Sequence, residues 1–528
     1  MSAPLDIPDR FNLADHFVDR HLREGCADKV AIVCGNRQLT YGNMVELMNR
    51  AGNGLLAAGV QQEQRVLLVL PDTPEFAAAY FGAMKIGAVP VPTSTAVRSA
   101  DYAYFLSESR ARATIVHSSV LGEFALALAQ RHSPKVIVCG ERVSGYVHWD
   151  DFVENGCDEL ESAPTSKDDA AFWLWTSGST GRPKAAVHLH QDWIHCCEAY
   201  ARRVLNIGPL DKTFSSSKLF HAYGLGNGLM FPFHVGATTV LFPDRPQAKS
   251  ILEQVETHHP TLFFSVPTLY AAMLQDVELG KRYDLSSLRL AVSAAEPLPA
   301  EIYRRWKDRL GIEILDGIGS TEVLHIYISA RAGNVRAGST GQAVPGYELA
   351  IVDNEGQAVP QGAIGDLLVS GPSTAQCYWN RRDLSNDRMR GRWFSTGDKY
   401  TVDEDGFYWY SGRSDDMFRV SGQWVSPAEV EGTLAEHPCV LESAVIAYEE
   451  ETRVHTPKAY VVLRNAYNPS PELARELQDF VKERISRHKY PRRIEFLEEL
   501  PKTAAGKVLR YKLREMNRRS GITLSQGS

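Results

Sequence analysis

The sequence predicts an α/β protein whose larger part is built on mostly parallel sheets covered by helices. Short runs of aliphatic and β-branched residues, each the length of a buried strand, recur through the first part of the chain. Segments with helical periodicity separate these runs, which is the pattern of strand–helix–strand units. With 528 residues the chain is long enough for about three units of roughly 150 residues each.

One strand–helix–strand unit is predicted between residues 65 and 91. It consists of a buried strand at 65–70, a helix rich in Ala, Phe and Met at 75–86, and a second strand at 88–91. Because a helix connects the two strands, they are expected to be parallel. Further strands are predicted at 238–242, 261–266, 288–293 and 313–315, with a helix beginning near Pro299.

The pattern changes twice in the second half of the chain. From about Val344 the strands become shorter and are separated by Gly and Pro turns, which predicts antiparallel β structure. After Arg413 a compact α+β domain of about 110 residues is predicted. Its expected elements are helices at 427–436 and 471–486 and strands at 441–448 and 459–463, followed by a loose tail at 521–528.

Composition and charge exclude several classes of protein. A hydrophobic content of 44% and a charged content of 23% are ordinary for a globular protein. The net charge of −7 argues against a nucleic-acid partner. Neither a signal peptide nor an apolar run of about 18 residues is recognisable, and the eight cysteines form no C-x-x-C pair. We therefore expect a cytoplasmic monomer or homodimer that does not bind membranes.

A polar loop follows the apolar run that ends at Trp175. Its glycines let backbone N–H groups approach an anion, its hydroxyls add donors, and its lysine adds positive charge. Such a loop suits a triphosphate, although the Walker A spacing is absent and a cluster of this kind is more often a plain surface loop. The predicted phosphate-binding residues are Thr176, Ser177, Gly178, Ser179, Thr180, Gly181 and Lys184.

Four further motifs follow this loop along the chain. They are D-G-I-G-S-T-E at 316–322, S-T-G-D at 395–398, G-R-S-D-D at 412–416 with S-G at 421–422, and P-K-T-A-A-G-K at 501–507. The five motifs, in this order, resemble those of the acyl-adenylate-forming superfamily, which includes acyl-CoA synthetases, luciferases and the adenylation domains of peptide synthetases. The resemblance extends from about residue 10 to residue 515.

The resemblance implies a two-step reaction and a two-domain fold. A carboxylate is first joined to AMP from ATP with Mg²⁺, and the acyl group then passes to the thiol of coenzyme A. Residues 1–414 are expected to form the ATP- and acid-binding domain, which includes a small β-barrel-like part. Residues 415–528 are expected to form a mobile α+β domain that rotates about Asp415 between the two steps.

The resemblance also assigns roles to individual residues. Lys507 bridges the substrate carboxylate and the α-phosphate, Thr321 contacts the α-phosphate, and Glu322 helps to hold Mg²⁺. Asp398 accepts hydrogen bonds from the ribose hydroxyls, and Arg413 contacts the same sugar.

Two further ligand sites are implied in the same way. Gly422 lines the tunnel for the pantetheine arm of CoA, where a side chain would obstruct the passage. The adenine lies between two segments, of which the second has Ile318 where most relatives have an aromatic residue. The adenine-site residues are Ala295, Glu296, Asp316, Gly317 and Ile318.

The acid substrate is indicated by the segment at 218–227. Amino-acid-activating relatives carry an acidic residue at the position of His221, so an amino acid is disfavoured. This segment and residues 316–327 resemble benzoate–CoA ligases, which implies a pocket for a small aromatic acid formed by His221, Ala222, Tyr223, Gly319, His325 and Ile326. Those ligases usually have Phe at the position of His221, so a hydroxybenzoate or an aminobenzoate is an alternative to benzoate.

Other interpretations remain open from the sequence. The enzyme could act on another small carboxylic acid, pass its acyl group to a carrier protein, or oxidise its adenylate as luciferases do. A catalytically inactive binding protein is a further alternative. The spacing of His188, His190 and His195 could indicate a metal site, but cysteine or acidic partners are not evident and a structural role is the preferred interpretation.

Overall fold

The computed structural model describes residues 5–128, 134–176, 182–414, 416–420, 423–449, 455–502 and 508–524. Parallel sheets dominate the first two thirds of the chain, and antiparallel sheets dominate the rest. Within the described ranges, none of the helices combines the length and the apolar character needed to cross a membrane.

The strands are numbered in chain order. They are β1 (Val30–Cys34), β2 (Arg37–Thr40), β3 (Arg65–Val69), β4 (Val89–Pro92), β5 (Ala113–His117), β6 (Lys135–Cys139), β7 (Val147–His148), β8 (Ala170–Thr176), β9 (Lys184–Leu189), β10 (Lys212–Ser215), β11 (Thr238–Leu241), β12 (Leu262–Ser265), β13 (Leu290–Ser293), β14 (Ile314–Gly319), β15 (Ile326–Ser329), β16 (Gln342–Ala343), β17 (Glu348–Val352), β18 (Gly365–Ser370), β19 (Cys377–Tyr378), β20 (Met389–Arg390), β21 (Trp393–Val402), β22 (Tyr408–Arg413), β23 (Phe418–Val420), β24 (Gln423–Val425), β25 (Val440–Glu449), β26 (His455–Leu463) and β27 (Arg493–Phe496).

The α-helices are numbered in the same way. They are α1 (Arg20–Arg23), α2 (Tyr41–Ala57), α3 (Pro74–Lys85), α4 (Ser99–Ser109), α5 (Leu121–Leu128), α6 (Trp149–Glu154), α7 (Asp192–Cys196), α8 (Ala222–Leu225), α9 (Phe231–Val235), α10 (Ala248–His258), α11 (Pro267–Met273), α12 (Ala300–Leu310), α13 (Arg382–Arg388), α14 (Pro427–Ala435), α15 (Pro471–Arg484) and α16 (Arg510–Leu524). Short 3₁₀ turns occur at Ser118–Val120, Thr321–Val323 and Arg487–Lys489, and π-helical turns at Asp15–Asp19, Cys197–Arg202 and Gly226–Met230.

Two large sheets form the first part of the chain. One has five parallel strands in the order β4-β3-β5-β6-β7. The other has nine strands in the order β16-β15-β14-β13-β12-β10-β11-β1-β2, in which the strands from β14 to β1 are parallel. The strand–helix–strand unit predicted from the sequence is present as β3, α3 and β4, and the predicted α/β class is confirmed.

The core lies between these sheets and the helices that cover them. Helix α3 is buried on all sides, with Pro74 in its first turn and buried residues from Phe76 to Lys85. Small residues such as Ala77 and Ala78 let it pack closely against α2 and the adjacent strands. Burial on all sides explains why its sequence shows an apolar run and not a one-sided amphipathic pattern.

Two antiparallel sheets follow. Strands β8, β9 and β19 form a three-stranded sheet, and β17, β18, β20, β21 and β22 form a five-stranded sheet. The second of these occupies the region predicted to be antiparallel from about Val344. Both matter for function, because β9, β19, β21 and β22 carry candidate site residues.

The last part of the chain is a small α+β unit. Strands β25 and β26 are antiparallel, β27 joins β26 in parallel, and α14 and α15 pack on this sheet. The hairpin of β23 and β24, strand β27 and helix α16 were not predicted. The predicted loose tail is wrong over residues 521–524, because α16 continues to Leu524. Extending a helix that has already formed adds one hydrogen bond per residue fixed, so the four residues prolong it at small cost.

Candidate nucleotide and acid site

The predicted phosphate loop is carried by a β-hairpin. Strands β8 and β9 pair antiparallel, with Thr176 opposite Lys184, so the two ends of the loop are held next to each other. The loop residues Ser177, Gly178, Ser179, Thr180 and Gly181 lie outside the described residues. Thr176 and Lys184 therefore mark the position of the loop at one end of this hairpin.

Lys184 faces an aromatic ring on the neighbouring strand. Its Nζ atom lies 5.0 Å from the centroid of the Tyr378 ring, a distance at which the ring face attracts a cation. Burial lowers the pKa of Lys184, whereas the nearby Glu322 carboxylate raises it. The position of Tyr378 follows from the sheet, because β19 pairs with β9 and places Tyr378 opposite Ala186.

Tyr378 also makes a hydrogen bond to Glu322. Its hydroxyl donates to Glu322 Oε1 at 2.7 Å, and burial is the main cause that raises the Tyr378 pKa, which keeps the phenol protonated as a donor. Glu322 is 8% exposed, and no cationic nitrogen of the described residues lies within ion-pair distance of it. Sequence analysis did not identify Tyr378, because its contact with Glu322 depends on the pairing of distant strands.

A buried carboxylate without a cationic partner suits a metal ion. Mg²⁺ prefers oxygen ligands and is usually held by one or two carboxylates together with substrate phosphates and water. No cluster of three His, Cys, Asp or Glu side chains that would form an all-protein metal site occurs in the described part of the chain. The donor set around Glu322 therefore fits a Mg²⁺ ion shared with a nucleotide.

Thr321 and Glu322 belong to a tight turn between β14 and β15. The turn is a single 3₁₀ segment, Thr321–Val323, and the Ser320 hydroxyl accepts a hydrogen bond from the Val323 N–H at 3.3 Å. Leu324, which follows, has a φ of 75°, a conformation that costs of order 1–3 kcal/mol for a residue other than glycine. The turn is thus held in a strained shape.

Asp398 and Arg413 form a pair on adjacent strands. They lie opposite each other in β21 and β22, and Arg413 Nη1 is 3.0 Å from Asp398 Oδ1. Arg413 also donates to the Thr396 carbonyl at 3.1 Å. Asp398 is among the causes that raise the Arg413 pKa, although burial opposes it. The structure therefore brings together the two residues that the sequence assigned to one sugar.

The two predicted adenine-site segments also lie side by side. Ser293 at the end of β13 pairs with Asp316 in β14, and Gly317 and Ile318 continue the same strand. Burial raises the pKa of Asp316 well above its usual range. Ala295, in the loop after β13, has a φ of 75° and is exposed, and the half-buried Glu296 follows it.

A cluster of aromatic side chains, at the place of the predicted acid pocket, adjoins the other side of the β14–β15 turn. The Tyr223 hydroxyl is 3.3 Å from the Ser265 carbonyl and 3.2 Å from the Val292 carbonyl, at the carboxyl ends of β12 and β13. The rings of Tyr223 and His325 have centroids 5.6 Å apart. His325 Nε2 lies 3.4 Å from the Tyr223 carbonyl, which fixes a proton on that nitrogen. Ala222, in the first turn of α8, is buried.

Gly319 and Ile326 complete this group. They are opposite each other in the β14–β15 pair. A Cβ atom at Gly319 would lie 2.5 Å from the His325 carbonyl oxygen, so only glycine fits there. The structure therefore brings Tyr223, Gly319, His325 and Ile326 close to one another.

The two histidines of the pocket are neutral. Burial lowers the pKa of His221 to about 4 and that of His325 to about 3. His221 Nε2 and His325 Nδ1 are buried and have no hydrogen-bond partner among the described residues. Each histidine therefore offers an uncharged polar atom with unused hydrogen-bonding capacity.

Three further predicted residues are outside the described ranges. They are the hinge residue Asp415, the tunnel residue Gly422 and the catalytic lysine Lys507. Their roles stay predictions from the sequence.

Charged groups surround one side of the β14–β15 turn, and aromatic groups surround the other. This arrangement belongs to an enzyme that brings a nucleotide next to a small apolar substrate. The chain belongs to the AMP-binding enzyme family: residues 18–379 match the AMP-binding enzyme domain, and residues 429–507 match the AMP-binding enzyme C-terminal domain. The family membership predicted from the five motifs is confirmed.

Similar proteins agree with this assignment. The chain is 44% identical over 515 residues to a benzoate–CoA ligase of Thauera aromatica, and the aligned residues cover 97% of each chain. The structure of an anthranilate CoA ligase in complex with anthranoyl-AMP is 40% identical with a TM-score of 0.95, covering 98% of this chain and 99% of that one. A benzoate CoA ligase from Burkholderia xenovorans is 43% identical with a TM-score of 0.90, covering 96% of this chain and 100% of that one.

We expect the neutral histidines to make stability fall at low pH. Between its unfolded pKa of about 6.5 and its lower folded pKa, such a histidine binds a proton in the unfolded chain only. The free energy of unfolding therefore falls as the pH drops from above 6.5 towards the folded pKa. For His325, with a folded pKa of about 3, the loss between pH 7.5 and pH 5.0 is about 2 kcal/mol. The measurement is the free energy of urea unfolding at both pH values.

The matched variant is His325→Gln, which keeps a donor towards the Tyr223 carbonyl but does not titrate. The difference in unfolding free energy between the two pH values should be about 2 kcal/mol smaller in this variant than in the parent protein. An equal difference in both proteins would mean that His325 titrates normally.

Proposed function

We propose that this protein is an ATP-dependent aryl acid–CoA ligase that forms an acyl-AMP intermediate and releases AMP and pyrophosphate. One observation carries the proposal. The short connection between β14 and β15 supplies Thr321 and Glu322 on the charged side and Gly319, His325 and Ile326 on the aromatic side. An acid in the aromatic pocket would therefore lie beside a nucleotide held at the turn.

The chemistry requires this proximity. A carboxylate is a poor electrophile, because a nucleophile would have to expel oxide, and conversion to a mixed anhydride with AMP provides a good leaving group. The enzyme must hold two anions in contact and stabilise the charge that develops on the α-phosphate. In our proposal Lys184 attracts the terminal phosphates, the Thr321 hydroxyl contacts the α-phosphate, and Lys507 lies between the phosphate and the carboxylate.

Glu322 is proposed as the protein ligand of Mg²⁺. The ion would neutralise phosphate charge when bound. The Tyr378 hydroxyl holds one oxygen of the Glu322 carboxylate by its hydrogen bond of 2.7 Å, which fixes the direction in which the other oxygen points. Lys184, above the same tyrosine ring, is then directed at the phosphates that share the ion.

Asp398 and Arg413 are proposed to bind the ribose. Arg413 holds one carboxylate oxygen of Asp398 and a backbone carbonyl at the same time, so the carboxylate is presented in a fixed orientation. A carboxylate is an acceptor only, which suits two sugar hydroxyls. The base would lie between the segment that contains Ala295 and Glu296 and the segment that contains Asp316, Gly317 and Ile318, with Ile318 giving apolar contact in place of stacking.

The aromatic pocket is proposed to accept benzoate or a substituted benzoate. Tyr223 and Ile326 offer surfaces for a planar ring, and Ala222 leaves space for it. The unpaired Nδ1 of His325 can accept one hydrogen bond, because the proton of this neutral ring is on Nε2, and the unpaired Nε2 of His221 can accept or donate one. A hydroxyl or amino substituent would satisfy one of them, which favours hydroxybenzoates and aminobenzoates over the unsubstituted acid.

The second step is proposed to use coenzyme A. Residues 1–414 would form the domain that binds ATP and the acid, and residues 415–528 a domain that rotates about Asp415 and brings Gly422 to the pantetheine tunnel. A cytoplasmic location and a monomeric or homodimeric state stay predictions from the sequence.

We expect AMP release from ATP to require both CoA and an aromatic acid. The experiment measures AMP with and without CoA across benzoate, its hydroxy and amino derivatives, cyclohexanecarboxylate, cinnamate and short fatty acids. Hydroxybenzoates or aminobenzoates should give the highest kcat/KM. Turnover with aliphatic acids alone would contradict the aromatic pocket, and adenylate that accumulates without transfer to CoA would indicate a carrier protein as the acceptor.

Replacement of Lys507 should separate the two steps. We expect Lys507→Ala to reduce acyl-adenylate formation about 100- to 1000-fold, because a single stabilising group is lost from the transition state. Transfer from supplied acyl-adenylate to CoA should remain within about twofold of the parent rate, because the phosphate has already reacted. Pyrophosphate release at the parent rate would contradict the role of this lysine.

Tyr378→Phe should slow adenylation. Loss of a hydrogen bond to a charged group costs about 1.5–3 kcal/mol, which corresponds to about a 10- to 100-fold lower rate. Because the hydroxyl orients Glu322, the Mg²⁺ concentration that gives half-maximal pyrophosphate release should also rise. Tyr102→Phe is the control, since the Tyr102 hydroxyl, on α4, donates to the Ser94 carbonyl in the loop after β4. The same Mg²⁺ dependence in both variants would contradict our interpretation of Tyr378.

A further inference from the structure

His188 makes a contact that the proposed mechanism does not use. It lies in β9 and is fully buried. Its Nε2 atom is 2.8 Å from the carbonyl oxygen of Thr321, and its Nδ1 atom is 2.9 Å from Oδ2 of Asp192. Asp192 is itself buried in the first turn of α7 and accepts a hydrogen bond from the Leu189 N–H at 3.0 Å. A chain of two hydrogen bonds therefore connects α7 to the Thr321 turn.

The partners fix the protons of this pair. A carbonyl oxygen only accepts hydrogen bonds, so His188 Nε2 must be the donor to Thr321. A second proton lies between Nδ1 and the Asp192 carboxyl group, because two lone pairs would repel each other at 2.9 Å. The His188–Asp192 pair therefore holds two protons and has no net charge.

The Thr321–Val323 turn is held at each of its three carbonyls. His188 binds the Thr321 carbonyl, the Ala375 N–H binds the Glu322 carbonyl at 2.7 Å, and the Ser373 hydroxyl binds the Val323 carbonyl at 2.8 Å. Strained backbone persists where surrounding contacts over-determine it, and Leu324 directly after the turn is such a residue. Among these three contacts, the His188 contact is the one that comes from the strand carrying Lys184.

The spacing of residues along β9 relates the His188 contact to Lys184. Alternate residues of a strand point to the same face, so Lys184 and His188 share a face of β9. Lys184 lies above the Tyr378 ring, and His188 holds the turn that carries Glu322. One strand thus sets the separation between the cation and the carboxylate of the proposed nucleotide site.

Packing alone does not account for His188. The ring stacks on Phe172 with centroids 5.2 Å apart and an angle of 14°, a contact that an apolar ring would also make. An apolar residue would avoid the cost of burying Asp192 and two ring nitrogens. The polar pair is explained if the Thr321 carbonyl has to be held.

We propose that His188, oriented by Asp192, is a positioning residue that holds the Thr321–Val323 turn in register with Lys184 for adenylation. The proposal rests on the proposed function for the identity of the reaction. It concerns the first half-reaction, since the contact acts on the residues assigned to the phosphates and not on the CoA tunnel. It also replaces the metal-site interpretation of the histidine spacing, because both nitrogens of His188 already have partners.

The test compares His188→Leu, which lacks the donor, with His188→Gln, whose side-chain amide can donate from nearly the position of Nε2. His190→Leu is the matched control. His190 is equally buried two residues further on, but its Nδ1 accepts the Leu13 N–H and does not contact the turn. The parent protein and all three variants are assayed for pyrophosphate release with ATP and the preferred acid, and for transfer from supplied acyl-adenylate to CoA.

We expect His188→Leu to lower kcat for pyrophosphate release at least tenfold, with the KM for the acid changed less than threefold and the transfer step within twofold of the parent. His188→Gln should recover at least one third of the parent kcat. His190→Leu should change both half-reactions by the same factor. Equal losses in both half-reactions for His188→Leu, or the same loss with Gln as with Leu, would overturn the proposal.

A binding measurement separates this proposal from the proposed function. The dissociation constant of Mg²⁺–ATP is determined by calorimetry in the absence of acid and CoA. It should rise at least fivefold in His188→Leu and less than twofold in His190→Leu and His188→Gln. If the parent protein binds Mg²⁺–ATP but turns over none of the aromatic acids, the aryl-acid function fails while these ratios still decide the role of His188. An unchanged dissociation constant in His188→Leu would overturn that role.

Discussion

The Glu322 carboxylate is buried and makes no ion pair within the described parts of the chain, and the arrangement of the site follows from that. Removing a carboxylate from water is costly unless hydrogen bonds or opposite charge compensate it. One oxygen is satisfied by the Tyr378 hydroxyl, and the described residues supply no ion pair. In the proposed function, a cation that arrives with phosphate ligands would compensate this buried charge. Lys184 would then bind the phosphate charge that the cation leaves uncompensated.

The carboxylate must also be kept from moving to a better-solvated position. The turn that carries it has three carbonyls held by two segments of the chain, β9 and residues 373–375, and it continues into the strained backbone of Leu324. Gly319, at its other end, approaches the His325 carbonyl so closely that a Cβ atom has no room. Rigid support of this kind is what electrostatic catalysis requires, because groups that are already oriented need no reorganisation when charge develops.

Local patterns were sufficient for the fold class, and contiguous motifs supplied most of the candidate site residues. Buried parallel strands appear as apolar runs, so β3 and β12 were predicted closely, whereas β14 continues to Gly319, four residues beyond its predicted end. Tyr378 and His188 were not recognised as site residues. Tyr378 reaches the site because β19 pairs with β9, and His188 does so because it contacts the Thr321 carbonyl. Both contacts join residues that are far apart in the sequence, so a local pattern does not reveal them. Helix α16 was missed for a related reason, since its polar sequence gives no strong periodic signal.

The charges of the two sides of the turn determine how an acid would enter. Burial keeps His221 and His325 neutral, so the aromatic side offers polar atoms without positive charge. A carboxylate placed there would be buried without compensation, whereas a ring with a hydroxyl or amino group would lose little. Positive charge is available at Lys184 on the other side. In the proposed function the acid would therefore bind productively in one orientation, with its ring towards the histidines and its carboxylate towards the nucleotide, and the charge distribution would select this orientation before any catalytic group acts.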